Sequence, residues 1–278
     1  MKAIDNKELI LALEELEKEK GIKKEYLLES IETALVTAYK RNFDSSENVK
    51  VVMDLGKIEG VMPLKEQVPT EHYKVNDKIK AYVIDVEKGE KGAPQVIVSR
   101  SKPDFVRKLL EFEIPEIYEG LIEIKSVSRD PGKRSKIAVY SQDPNIDPVG
   151  SCVGQKGIRI QNVINELNGE KIDIIEWNPD ISIFIASALL PAKIMAVDSK
   201  EEERFAQVIV PDDQLSLAIG KAGQNARLAA KLTNWKIDIK SESQFRKYLE
   251  EKQNEENKKD LITETEEAKE DKTEENKN

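Results

Sequence analysis

Two short glycine-rich segments contain the residues of this chain that are best suited to bind a ligand. Each has two glycines separated by two residues, Gly154-Gln155-Lys156-Gly157 in the first and Gly220-Lys221-Ala222-Gly223 in the second. Glycine lacks a Cβ, so the backbone can turn tightly there and a ligand can approach it closely. One lysine in each segment adds a positive charge. The pattern therefore predicts two turns that bind anions such as phosphate groups.

A helix is expected to follow each turn and to strengthen the anion site. Apolar residues recur at helical spacing over Ile158–Leu167 and over Gln224–Leu232. The N-terminal N–H groups and the positive dipole end of each helix would point at the turn, which favours phosphate oxygens. Arg159 and Arg227 lie just past the turns, where each is either a phosphate contact or part of a solvated helix face.

The turns belong to a duplicated pattern. Both are preceded by a β-rich run, Lys136–Tyr140 and Gln207–Val210, and both helices lead into the same tetrapeptide, Lys171-Ile172-Asp173-Ile174 and Lys236-Ile237-Asp238-Ile239. A lone Gly-x-x-Gly is more often an ordinary turn than a binding site. An internal repeat matched at so many points is hard to obtain by chance, and it favours a binding function.

A groove for single-stranded nucleic acid is expected beside each turn. In such an arrangement a strand and two helices hold about four nucleotides. Taken singly, an aliphatic side chain on these helices is more often part of a core than a contact to RNA. The residues predicted to line the two grooves are Ile158, Ile160, Val163, Ile164, Leu217, Ile219 and Leu228.

The sequence holds little that could catalyse a reaction. It has one histidine, His72, and one cysteine, Cys152, so no metal-ligand spacing can be built from these two types. We expect His72 in a solvated loop and Cys152 buried in an apolar helix. Gly220-Lys221 lacks the upstream glycine and the following Ser or Thr of a nucleotide-binding phosphate loop. We therefore predict a protein that is not an enzyme and that uses no metal and no cofactor.

The net charge of −9 conceals an uneven distribution. In the segment from Glu250 to Asn278, acidic residues outnumber lysines by six, so the remainder of the chain is nearly neutral. A nearly neutral body can present a local basic surface to phosphates. No run of about 18 consecutive apolar residues predicts a membrane span. Residues 1–6 show no secretory signal, and a single cysteine fits a reducing compartment, so we expect a cytoplasmic protein.

Glycines, prolines and changes in composition predict a mixed α+β architecture. Residues 5–42 contain two amphipathic helical runs that end at Lys40-Arg41, which predicts an N-terminal helical hairpin. Residues 48–102 contain β-rich runs between glycines and prolines, which predicts a small β unit. The segment 242–278 is dominated by Glu, Lys, Asn and Thr towards its end and is expected to be an acidic, mostly disordered tail.

At the repeat, the sequence resembles the KH fold in its type II arrangement, which places the additional helix and strand first. The resemblance implies two tandem KH domains, residues 103–177 and 178–241, that bind single-stranded RNA. The RNA-binding residues that it implies are those of the turns and the two arginines beyond them: Gly154, Gln155, Lys156, Gly157, Arg159, Gly220, Lys221, Ala222, Gly223 and Arg227.

The order of hairpin, β unit and two KH domains resembles the NusA family of bacterial transcription elongation, termination and antitermination factors. The runs Glu113–Gly120, Asp147–Gly154 and Val210–Lys221 carry the resemblance. It implies a monomeric, non-enzymatic factor that binds nascent RNA, RNA polymerase and other transcription factors. It further implies that the hairpin, residues 1–47, faces the polymerase through its basic end at Lys40 and Arg41.

The region before the KH pair departs from the family pattern. Asn48–Met53 runs directly into Asp54–Gly60, so several tens of residues found in the family are missing. Residues 48–102 would then be a partial S1-like unit, because a small OB-type barrel needs about five strands to close.

Two other functions remain open on the sequence. The chain could be the RNA-binding module of an RNA-processing assembly, as in phosphate-dependent exoribonucleases, where KH and S1 modules follow a catalytic body. It could also be a protein-interaction scaffold whose KH grooves hold no RNA. RNA binding that depends on the two turns would exclude the scaffold, and copurification with polymerase would distinguish the transcription factor from the processing module.

Overall fold

A computed structural model of the chain describes residues 50–56, 58–88 and 94–252. The predicted helical hairpin, with Lys40 and Arg41, lies outside these residues, as does the end of the predicted tail. Within the described ranges, no helix is long and apolar enough to cross a membrane. The described residues form two compact units, one of residues 50–56, 58–65, 85–88 and 94–98 and one of residues 66–84 and 99–252.

The first four strands form one mixed sheet in the order β1-β2-β4-β3. β1 and β2 pair antiparallel, while β2 and β4 pair parallel. The Asp54 carboxylate accepts a hydrogen bond from the Gly56 N–H at 2.8 Å, which stabilises the turn between β1 and β2. The strands are β1 Val51–Asp54, β2 Glu59–Met62, β3 Tyr82–Lys88 and β4 Pro94–Ser99.

This sheet confirms most of the strand predictions before the repeat and changes one boundary. The β-rich runs around residues 49–53 and 95–99 are strands, as expected. The run predicted at residues 79–84 forms a strand only from Tyr82 onwards. β2 was not predicted, because Glu59–Met62 is short and contains Gly60.

The first half of the repeat folds as four α-helices over a three-stranded sheet. The sheet order is β5-β6-β7, with β5 antiparallel and β7 parallel to β6. The helices pack on one face, where Leu110, Ile137 and Val163 belong to the buried core. The elements are α1 Pro103–Glu113, α2 Pro115–Tyr118, β5 Glu123–Asp130, β6 Arg134–Tyr140, α3 Pro148–Val153, α4 Ile158–Glu166 and β7 Lys171–Glu176.

The second half repeats this arrangement and confirms the duplication. Its sheet order is β10-β9-β8, with β8 antiparallel and β10 parallel to β9. Ile185, Val208 and Leu232 lie in its core. The elements are α5 Ile181–Ala188, β8 Ala196–Lys200, β9 Phe205–Val210, α6 Leu215–Ile219, α7 Gln224–Thr233 and β10 Lys236–Ser241.

The two halves pack against each other, with α7 lying on β5 and β6. Lys136 is fully buried at this contact and donates a hydrogen bond to the Leu190 carbonyl at 2.9 Å. Its ammonium group is also 3.3 Å from the Asp173 carboxylate. Burial lowers the pKa of Lys136, and the neighbouring Asp173 opposes that effect. The hydrogen bond from Lys136 to Leu190 ties a strand of the first half to the segment just after α5 in the second.

Residues 66–84 are anchored to the first half by a buried ion pair. Arg100 contacts both oxygens of the Glu71 carboxylate, at 2.5 and 2.7 Å, and both side chains are almost completely buried. Arg100 also donates to the Glu166 carbonyl at the end of α4, at 2.8 Å. The Tyr73 hydroxyl donates to Glu71 at 2.8 Å, and burial together with this carboxylate raises the pKa of Tyr73. The sequence analysis did not predict this network.

A second buried pair fixes the hairpin between β5 and β6. Arg129 contacts the Glu170 carboxylate at 2.8 Å, and neither side chain is exposed to solvent. Glu170 also accepts hydrogen bonds from the Ser135 hydroxyl at 2.6 Å and from the Gly132 N–H at 2.8 Å. Because every contact converges on one buried carboxylate, the hairpin is held firmly against the segment before β7.

The predicted tail begins with an ordered segment. Residues 242–252 are helical, and the Ser243 backbone N–H donates to the Asp212 carboxylate at 3.2 Å. Hydrogen bonds from Ser241 and Ser243 lower the pKa of Asp212. The first eleven residues of the predicted tail are therefore helical, and residues 253–278 lie outside the described residues.

Candidate nucleic-acid interface

The two Gly-x-x-Gly turns have the same backbone conformation. The first glycines, Gly154 and Gly220, have φ and ψ of 73° and 173° and of 75° and 172°. The third residues of the turns, Lys156 and Ala222, are left-handed with φ of 53° and 50°. This agreement extends the predicted sequence repeat to the level of individual torsion angles.

The middle residues of both turns face solvent. Gln155, Lys156, Lys221 and Ala222 are all exposed. The lysine, however, occupies the third position in the first turn and the second position in the other. The two turns therefore present a positive charge at different points on the same backbone.

The helices after the turns begin without side-chain caps. α4 starts after Gly157 and α7 after Gly223, and no side chain hydrogen-bonds to the first N–H groups of either helix. The first N–H of each helix donates to a backbone carbonyl of its own turn, that of Gln155 or Lys221. The next N–H groups, at the positive end of the helix dipole, can donate hydrogen bonds to an anion.

Arg159 is neither a free phosphate ligand nor a fully solvated side chain. Its Nη1 donates to both oxygens of the Glu116 carboxylate, at 3.0 and 2.9 Å, and to the Ser151 carbonyl at 2.8 Å. Burial would raise the pKa of Glu116, but hydrogen bonds from its own backbone and from Arg159 outweigh burial and lower it. The carboxylate of Glu116 thus neutralises the charge of Arg159 beside the first turn.

The residue equivalent to Arg159 in the second half is Asn225. Each lies two positions after the second glycine of its turn. The amide of Asn225 donates to the Ala218 carbonyl at 3.1 Å and to the Leu189 carbonyl at 3.0 Å. Both residues thus connect the helix before the turn to the helix after it. Asn225 was missed because it carries no charge, although a position-by-position alignment of the repeat would have revealed it.

Close packing against these residues explains the first glycine of each turn. A Cβ at Gly154 would lie 2.7 Å from Cγ of Arg159, and one at Gly220 would lie 2.8 Å from Cβ of Asn225. A Cβ at Gly157 would meet nothing within 4 Å. The first glycine therefore accommodates the protein's own side chain. The second glycine leaves open space in the first turn, whereas a Cβ at Gly223 would lie 3.2 Å from Nη1 of Arg227.

Arg227 contacts the second turn directly. Its Nη1 donates to the Ala222 carbonyl, and the side chain is exposed. The equivalent position in the first half is Gln161, whose amide donates to Asn165 at 2.9 Å. The two arginines chosen from the sequence are thus not equivalent to each other. Arg159 is paired with Glu116, whereas Arg227 contacts the backbone of its own turn.

The predicted groove walls divide into exposed and buried residues. Ile158, Leu217 and Ile219 are 59%, 45% and 37% exposed and could contact a ligand. Val163 and Leu228 are each only 3% exposed and belong to the core, so their assignment to a groove wall was wrong. Ile160 and Ile164 are partly buried.

The predicted environments of the possible catalytic residues are confirmed. Cys152 is fully buried, and burial raises the pKa of its thiol to about 12. His72 is exposed. Within the part of the chain that the structure describes, no three His, Cys, Asp or Glu residues are grouped so as to hold a metal ion.

Comparisons with known families agree with the duplicated architecture. Residues 100–177 match the model of the NusA-like first KH domain, and residues 181–247 match that of the NusA-like second KH domain. Residues 8–100 match the model of the NusA N-terminal domain. This last match spans both the predicted hairpin and the predicted β unit.

Individual relatives are similar over most of the chain. A protein of Halalkalibacterium halodurans is 41% identical, covering 86% of this chain and 89% of the relative. One of Bacillus subtilis is 42% identical, covering 86% and 92%. One of Borreliella burgdorferi is 49% identical, covering 81% and 47%. All three are named transcription termination/antitermination protein NusA.

The first two alignments also bear on the missing segment. Each runs over 342 residues, although the whole chain has only 278. Both relatives therefore contain positions within the aligned region that have no counterpart here, which agrees with the predicted internal shortening.

Proposed function

The chain belongs to the NusA family, and from that premise we propose that it is an RNA-binding factor acting in transcription termination and antitermination. Its two KH domains bind nascent single-stranded RNA at the two Gly-x-x-Gly turns. Phosphates of the RNA accept hydrogen bonds from the uncapped N–H groups of α4 and α7, and Lys156 and Lys221 add charge at the turns.

One observation supports this proposal above the others. Gly154–Gly157 and Gly220–Gly223 share their torsion angles, expose their middle residues and each precede an uncapped helix. The exposed middle residues and the N–H groups at the start of each helix are the features that anion binding uses.

The distribution of charge makes the second turn the stronger electrostatic site. At the first turn, Glu116 neutralises Arg159, leaving Lys156 as the exposed cation. At the second turn, both Lys221 and Arg227 are exposed. We expect the second KH domain to contribute more to the salt dependence of RNA binding.

The remaining roles rest on the family. The N-terminal region, residues 1–47 with Lys40 and Arg41, contacts RNA polymerase, and residues 48–102 form a partial S1-like unit. The protein acts as a monomer in the cytoplasm, without catalysis and without a cofactor. The KH domains extend over residues 103–177 and 178–241.

A pull-down from bacterial lysate tests the proposal as a whole. The full chain, tagged and immobilised, should retain both single-stranded RNA and RNA polymerase subunits. Treatment with ribonuclease before elution should remove the RNA and leave the polymerase, because the two contacts use different domains. If the chain instead retains RNA and cellular ribonucleases but no polymerase, it is a module of an RNA-processing assembly. Retention of neither RNA nor polymerase would refute the proposed function.

A further inference from the structure

The hairpin between β5 and β6 of the first KH domain lies beside the turn of the second. The Asp130 carboxylate accepts a hydrogen bond from Nε2 of Gln224 at 2.7 Å, and Gln224 directly follows Gly223 of the turn. The same carboxylate oxygen is 3.5 Å from Nζ of Lys133. One oxygen therefore holds a lysine of the first KH domain close to the start of α7 in the second.

The backbone of Lys133 is fixed while its ammonium group remains accessible. The hairpin is held by the hydrogen bond from the Gly132 N–H to the buried Glu170 carboxylate at 2.8 Å. The Lys133 carbonyl accepts a hydrogen bond from the Lys171 N–H at 3.1 Å. The side chain of Lys133 is nevertheless 63% exposed. A charge carried on a rigid hairpin with a solvated end can reach an approaching ligand at little conformational cost.

We propose that Lys133 is an additional phosphate-binding residue, which the first KH domain contributes to RNA bound at the turn of the second. The inference rests on the proposed function, because it assumes that RNA occupies the turn. A strand bound at Gly220–Gly223 continues past the start of α7, and a neighbouring phosphate then meets Lys133. RNA binding at the second turn thus depends on a residue outside the second KH domain.

In the structure, the Asp130 carboxylate occupies the place beside the Lys133 ammonium group that the proposal assigns to the RNA phosphate. Its carboxylate is 30% exposed, and a surface ion pair of this kind is weak and screened by salt. Phosphate can therefore compete with Asp130 for the ammonium group of Lys133. Asp130 keeps its hydrogen bond from Gln224 whether or not Lys133 has moved.

A purely structural role for the Lys133–Asp130 pair is the alternative. The hairpin does not need the pair, because Arg129 and Ser135 also converge on the buried Glu170. Removing Lys133 should therefore leave the fold intact. Its effect on RNA can then be measured without the complication of unfolding.

Fluorescence anisotropy with the full chain and labelled single-stranded RNA tests the proposal. The probe is a pool of single-stranded RNAs of mixed sequence. Each RNA is about 12 nucleotides long, which is enough to cover two grooves of about four nucleotides each. Lys133→Ala should weaken binding about three-fold or more at low salt. The slope of log K against log salt concentration should also fall by about 0.7, the value for one lost phosphate contact on a single strand.

Lys108→Ala is the matched control. Lys108 is 58% exposed and contacts Glu111, so it resembles Lys133 in both exposure and pairing but lies on α1. Its removal should change neither the affinity nor the salt slope. If Lys133→Ala and Lys108→Ala behave alike, the proposal is overturned.

Asp130→Asn provides a test in the opposite direction. The asparagine keeps an oxygen that can accept the hydrogen bond from Gln224, but it removes the negative charge that competes for Lys133. Affinity for RNA should rise about two-fold or more at low salt. A structural role for the pair predicts no gain, so an unchanged or lower affinity would overturn the proposal.

The double variant Lys221→Asp/Ala222→Asp separates this inference from the proposed function. If it leaves RNA binding intact, or if the wild-type protein does not bind RNA, the proposed function fails and the inference fails with it. If it weakens binding while Lys133→Ala has no effect, the proposed function stands and only the role of Lys133 is refuted.

Discussion

Replacing the first glycine of either turn by alanine should destabilise the protein more than replacing the second. Gly154 and Gly220 combine φ near +75° with ψ near 172°, a region that is essentially restricted to glycine. Gly157 has φ of 75° and ψ of 14°, a left-handed conformation that alanine can adopt at moderate cost. The torsion angles alone therefore predict a difference between the two positions.

Packing increases this difference. A Cβ at Gly220 would lie 2.9 Å from the backbone nitrogen of Asn225, which cannot move without displacing α7. At Gly154 the nearest atoms are in the longer side chain of Arg159, which can shift. We expect a loss of about 1–2 kcal/mol for Gly157→Ala from backbone conformation alone. For Gly220→Ala, backbone strain and overpacking together should cost about 3–5 kcal/mol, with Gly154→Ala in between.

Urea denaturation followed by tryptophan fluorescence measures these changes. The two tryptophans of the chain, Trp177 and Trp235, both lie in the KH pair and report on its unfolding. The reasoning predicts the order Gly220→Ala, Gly154→Ala, Gly157→Ala from the largest loss to the smallest. Equal losses at Gly220 and Gly157 would refute the assignment of the first glycine to internal packing.

Two further predictions concern buried groups. In a urea titration, Arg100→Ala should lower the free energy of unfolding by about 3–5 kcal/mol, because it leaves Glu71 buried without its partner. Arg246→Ala breaks an exposed pair with Glu242 and should lower it by less than about 1 kcal/mol. Similar losses in both variants would contradict the anchoring role of Arg100. Because burial raises the pKa of Cys152 to about 12, its thiol should resist an aromatic disulfide reagent at pH 8 in the folded protein and react only in urea, as followed by absorbance. Rapid reaction of the folded protein would contradict the burial of Cys152.

The repeated elements could be predicted because their signals are local. The Gly-x-x-Gly turns, the helices after them and the strands that begin with Lys-Ile-Asp-Ile all follow from periodicity and from glycine spacing. The burial of Cys152 followed from its apolar neighbours. In each case the residues that determine the structure are close together in the chain.

The features that were missed depend on contacts between distant segments. Arg100 and Glu71 are separated by 29 positions, and nothing in either local sequence indicates burial rather than solvation. Lys133 lies close to the start of α7 only because α7 packs on β5 and β6. Val163 and Leu228 fell on the predicted groove face, but the tertiary packing turns them into the core. Helical periodicity identifies an apolar face without indicating which part of it remains exposed.

The central claim, that the two turns bind single-stranded RNA, is tested most directly by placing acidic residues in them. One variant combines Gln155→Asp with Lys156→Asp and the other combines Lys221→Asp with Ala222→Asp. Aspartate tolerates the left-handed conformation of the third position, so both variants should keep the urea midpoint of the wild type. With all four substitutions combined, anisotropy of labelled single-stranded RNA should show no binding, because the added carboxylates repel phosphate. Unchanged affinity in a folded protein with all four substitutions would contradict RNA binding at the turns.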